Sequence, residues 1–79
     1  MIERRATPRQ RVFKAGIIEF DGTGVDCIVR NLSDAGAALD VATIAGIPHE
    51  VTLFIATSSL RHHCYIVWRK ETRIGVTFD

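Results

Sequence analysis

A chain of 79 residues with a net charge of +1 has room for one small domain and a modest core. Its 47% hydrophobic and 24% charged residues exclude a disordered chain, and no apolar run approaches the ~18 residues of a membrane-spanning helix. The start, Met1-Ile2-Glu3-Arg4-Arg5, has no apolar stretch behind its charges. It is not read as a signal peptide, and a cytoplasmic location is expected. The charge is lopsided. Residues 1–14 hold five Lys or Arg against one Glu, net +4, while the remaining 65 residues are net −3. A basic head on a mildly acidic body points to an anionic partner.

In chain order, residues 1–11 read as a basic arm, because Pro8 does not fit a regular ladder. Residues 12–20 form a first strand, apolar on both faces apart from Lys14 and Glu19. Asp21-Gly22-Thr23-Gly24 makes a turn, and residues 25–32 form the second strand. Ser33-Asp34-Ala35-Gly36 leads to a short strand over residues 37–41, and Gly46 and Pro48 punctuate the next connection. Residues 42–47 suffice for a single helical turn at most. Three strands of period two follow, marked by Val51, Leu53 and Ile55, by Cys64, Ile66 and Trp68, and by Ile74, Val76 and Phe78. Thr57-Ser58-Ser59 and Lys70-Glu71-Thr72 turn between them.

Six short strands must hide their edges, and closure into a barrel does so. The expected fold is all-β: a small six-stranded antiparallel barrel over residues 12–79, with a flexible basic arm over 1–11 and little or no helix. Its interior is expected to take Trp68, Ile66, Val76, Phe78, Leu53 and Ile55. Cys27 and Cys64 lie in apolar strands and read as buried thiols.

Two stretches carry candidate chemistry. The arm holds Arg4, Arg5, Arg9 and Arg11. Guanidinium groups fork onto phosphate, match the O6 and N7 edge of guanine and stack on purines. Asn31-Leu32-Ser33-Asp34-Ala35-Gly36 falls at a strand junction, where Asn, Ser and Asp bond nearby backbone or a ligand and glycine permits close approach. His62 and His63 are adjacent on a strand and face opposite ways, so they do not share a metal, and no metal or cofactor is expected. Ser33 has no evident base, so no enzyme activity is expected.

Taken together, these stretches resemble the PilZ domain family, whose signature is an Arg-x-x-x-Arg arm followed by Asp/Asn-x-Ser-x-x-Gly. Arg5-Ala6-Thr7-Pro8-Arg9 matches the first part and Asn31 to Gly36 the second, while Ile66-Val67-Trp68 and Ile74-Gly75-Val76-Thr77-Phe78 look like the family's last strands. The resemblance covers nearly the whole chain. It implies a bacterial cyclic di-GMP receptor with a six-stranded PilZ-like barrel, whose arm orders over the barrel on binding. Arg5 and Arg9 would hold phosphate and guanine, and Asn31, Ser33 and Gly36 would line the guanine side. Arg4, directly ahead of the motif, implies two stacked ligand molecules. An unidentified downstream protein would receive the signal. Family members often continue into a C-terminal helix, whereas this sequence stops at Asp79 on the last strand. Two other readings stand beside it. One is a degenerate PilZ-like adaptor that binds only protein. The other is an OB-type barrel for single-stranded nucleic acid, which needs stacking aromatics on an exposed face; Tyr65, Phe54 and Phe13 are the few candidates.

Overall fold

The computed structural model describes residues 10–79. Among them are six strands and no helix: β1 (Gln10–Phe20), β2 (Thr23–Leu32), β3 (Gly36–Val41), β4 (Glu50–Ile55), β5 (Leu60–Lys70) and β6 (Arg73–Phe78). All neighbours pair antiparallel, and the order β1-β2-β3-β6-β5-β4 closes into a barrel. Each expected strand is present. β1 starts at Gln10, so Gln10 and Arg11, which the sequence reading places in the arm, belong to the barrel wall. The first hairpin turns on Asp21 and Gly22, both at positive φ (49° and 72°), the backbone that matches the twist of a tight two-residue hairpin.

Side chains pointing inward along each strand fill the barrel. Leu53, Ile55, Ile66 and Val76 are buried as expected, joined by Ile18, Val29, Leu39 and Ile74, which have no exposed surface. Among the described residues no polar or charged side chain is buried. Both cysteines lie in this core as free thiols. Burial pushes Cys27 up to about 12 and Cys64 up to about 11, so neither forms a thiolate near neutral pH.

Two expected interior residues are not inside. Trp68 is 44% exposed. A β-bulge between Ile66 and Trp68 breaks the register against β6: Ile66 pairs with Val76 on the inner face, but Trp68 pairs with Gly75 on the outer one. One extra residue, Val67, turns the tryptophan out of the core, because side-chain alternation has a period of two. Phe78 is half-buried at the barrel's end, where its ring packs against the core and stacks on His62 at 4.4 Å.

His63 ties the outer wall at the same end. Its Nδ1 lies 3.0 Å from Asp79 Oδ2, and its Nε2 meets Glu50. Both ring nitrogens can donate only in the imidazolium form. The Asp79 carboxylate, then that of Glu50, raise the His63 pKa above its ordinary value of 6.5. A raised folded-state pKa adds stability that is fully present below the unfolded value and is lost as pH rises through the folded one. The thermal midpoint of the parent should therefore exceed that of His63→Gln at about pH 5.5, and the gap should close towards about pH 8.5. A gap that is flat across this range would show that the contact does not depend on the imidazolium.

Candidate functional site

The outer wall carries two further consequences of bulging. In β2, Val29 pairs with Leu39 on the inner face, yet Asn31 pairs with Ala38 on the outer face, with Arg30 as the extra residue. In the β1–β2 ladder, Arg11 stands opposite the same Asn31. Ala38 pairs with Gly75, and Gly75 with Trp68. The registers thus draw one row across five strands: Arg11, Asn31, Ala38, Gly75, Trp68. Without the shifts in β2 and β5, neither Asn31 nor Trp68 would face outward.

This row crosses a groove of about 300 Å³ whose lining includes Asn31, Ser33, Gly36, Ala38, Trp68 and Gly75. All three motif residues among the described ones therefore border one concavity. Arg4, Arg5 and Arg9 lie outside the described residues.

Local chemistry explains the turn that shapes one side of the groove. The Ser33 amide donates to the Gly36 carbonyl at 2.9 Å, and the Ala35 amide donates to Ser33 Oγ at 3.1 Å. The serine thus stabilises its own turn, as serine hydroxyls commonly do. The Phe78 amide and the Thr77 hydroxyl both donate to the Ala35 carbonyl, at 2.8 and 3.3 Å, fastening the turn to β6. Gly36 is required by proximity: a Cβ there would sit 2.1 Å from the Val76 carbonyl oxygen.

One row further along the wall lies a cationic network. Arg73 Nε and Nη2 donate to Asp40 at 2.6 and 3.2 Å, and Arg30 Nη1 donates to the same carboxylate at 3.0 Å. The Arg73 hydrogen bonds hold the Asp40 carboxyl below the usual carboxylate range, assisted by Arg30 against a partial opposing effect of burial. Two guanidinium groups on one carboxylate leave a net positive charge. Arg30 also lies over the Phe13 ring, 5.4 Å from its centroid.

His62 and His63 point to different surroundings, Phe78 for one and Glu50 with Asp79 for the other. Among the described residues no helix is long and apolar enough to cross a membrane.

Sequence reasoning missed Arg11 and Trp68 as wall residues, and the small floor of Ala38 and Gly75. A local signal existed: Ile66-Val67-Trp68 interrupts the alternation of apolar and polar residues, so counting by twos does not fix the face that Trp68 takes.

The interior is filled by side chains, and the concavity that the motif residues border lies on the outer wall. The PilZ domain model matches residues 3–79, essentially the whole chain. No curated protein matches it. The chain belongs to the PilZ domain family, a family of cyclic di-GMP-binding and adaptor modules rather than enzymes.

Proposed function

We propose that this chain is a cyclic di-GMP receptor in bacterial second-messenger signalling. The observation that carries the reading is the outer-wall groove, which gathers Asn31, Ser33 and Gly36 beside the strand that the basic arm enters. Arg5 and Arg9 hold phosphate and guanine from the arm, and Asn31, Ser33 and Gly36 line the guanine side. The ligand is dianionic, and the first 14 residues carry a local net charge of +4 to meet it. Ordering the arm over the barrel costs entropy, which sets the affinity near micromolar, about −8 kcal/mol. Arg4 adds a second, stacked ligand molecule. The covered wall is then presented to a downstream protein in the cytoplasm, without catalysis.

Calorimetric titration of the full chain with cyclic di-GMP tests this. Saturable heat is expected, with a ligand-to-protein ratio of about two for the stacked pair. A ratio of about one leaves the receptor standing and removes the pair. Absence of heat at high micromolar ligand overturns the receptor reading in favour of a protein adaptor.

A further inference from the structure

We infer that the outer face of β1 and β2 binds a second copy of this chain, stacked face to face about a two-fold axis through the Ala15–Ile28 pair. The inference stands on this part of the wall and does not depend on the nucleotide reading.

Two outward rows run side by side here. On β1 they are Phe13, Ala15 and Ile17, and on β2 Arg30, Ile28 and Asp26. Arg30 is the extra residue of its bulge, and its contacts with Asp40 and the Phe13 ring place it on the outside. Ala15 is the cross-strand partner of Ile28, and Ile17 that of Asp26. Phe13 is 74% exposed, the most open of the large hydrophobic side chains among the described residues. Ala15 is exposed too, Ile17 and Ile28 are half-buried, and Phe54 of β4 pairs with Ile17 and extends the patch. An apolar patch rimmed by charge is the mark of an interaction surface.

The symmetry of the pattern names the occupant. Ala15 lies midway between Phe13 and Ile17, and Ile28 lies midway between Asp26 and Arg30. The two midpoints are paired with each other, so one axis running across the strands serves both rows. Rotation about it sets Phe13 against Ile17 of the second copy and Ile28 against its own counterpart. It also sets Asp26 against Arg30 of the second copy, and Arg30 against Asp26. A closed two-fold interface demands this self-complementarity, in apolar contact and in charge alike. Arg73 already gives Asp40 two hydrogen bonds and Arg30 gives it one, which leaves further N–H donors on Arg30 to spare. Beside the axis Ala15 presents only a methyl group, which lets two walls approach to the roughly 10 Å of stacked sheets.

The wall of a closed barrel curves away on either side, so the contact is confined to these two strands and their near neighbours. An interface of that extent belongs to the small class, and a dissociation constant of about 10–100 µM is expected. The charge pairs at its edge set the register more than the strength.

Sedimentation of the full chain between about 5 and 500 µM tests this. The parent should pass from monomer to dimer across the range. Asp26→Arg sets arginine against arginine in its own dimer, and Arg30→Glu sets carboxylate against carboxylate. Each alone should weaken dimerisation about 10-fold or more, yet an equimolar mixture of the two should recover to within about 3-fold of the parent, because every facing pair is again of opposite sign. Ala15→Arg, on an exposed position away from the core, should also abolish the dimer by setting two guanidinium groups together at the axis. Melting curves of each variant accompany the measurement. A parent that stays monomeric throughout overturns the proposal. So does a dimer that survives Ala15→Arg, or two folded single variants whose mixture fails to associate. If Arg30→Glu does not fold, Asp26→Arg and Ala15→Arg decide the matter: the proposal falls if either dimerises like the parent.

Discussion

Gly36→Ala is expected to lower the thermal midpoint by about 10–20 °C and to abolish the groove. The methyl group would stand 2.1 Å from the Val76 carbonyl oxygen and 3.2 Å from the Thr77 Cα. Both are backbone atoms of a strand held in the β3–β6 and β5–β6 ladders, so neither can swing aside as a side-chain tip does. Relief requires β3 to part from β6 at the Gly36–Thr77 pair or the turn at Ser33 to reopen, losing its 2.9 Å hydrogen bond to the Gly36 carbonyl. Overpacking of this kind costs about 2–3 kcal/mol, which for a domain of this size corresponds to the stated fall in midpoint. Circular dichroism melting measures it. A midpoint within about 2 °C of the parent would show that the strands absorb the methyl group freely.

The double variant Arg5→Ala/Arg9→Ala should show the opposite pattern, with stability retained and binding lost. Its substitutions precede β1, and the barrel core is drawn from the strands themselves. Hydrogen bonds to charged partners contribute about 1.5–3 kcal/mol each. Losing two of them should weaken cyclic di-GMP binding about 100-fold or more, allowing for non-additivity. The parent's affinity should also fall as salt rises, because ions screen the attraction between arginine side chains and a dianionic ligand. Calorimetry at two ionic strengths, with melting curves for both proteins, checks all of this. Binding by the double variant within about 3-fold of the parent would remove Arg5 and Arg9 from the site.

The fold was readable because its dominant signal is simple. Alternation located β4, β5 and β6, apolar runs bounded by turn residues located β1, β2 and β3, and the Asp21-Gly22 pair located the first hairpin. The polar half of the groove was readable too, since Asn31, Ser33 and Gly36 lie within six residues of one another. The apolar half was not, because a period-two reading assigns a face by counting and a bulge inserts one uncounted residue. Trp68 was therefore placed with Ile66, and the mistake is one of parity rather than of hydrophobicity. The Arg30–Asp40–Arg73 network escaped for another reason. Arg73 and Asp40 are 33 positions apart, and their contact depends on the β3–β6 ladder, which links strands that are not consecutive in the chain.

The filled interior bears on how such a protein can be heard. Ile18, Val29, Leu39, Leu53, Cys64 and Ile74 are each under 2% exposed, and close packing of this kind offers no alternative arrangement for an occupant of the wall to select. The barrel is an anvil rather than a spring. News of occupancy has to travel as a changed outline, a new relief of charge and shape assembled on a body that does not yield. On the receptor reading proposed above, a listener would have to touch the same wall as the messenger, and would compete or cooperate for that surface.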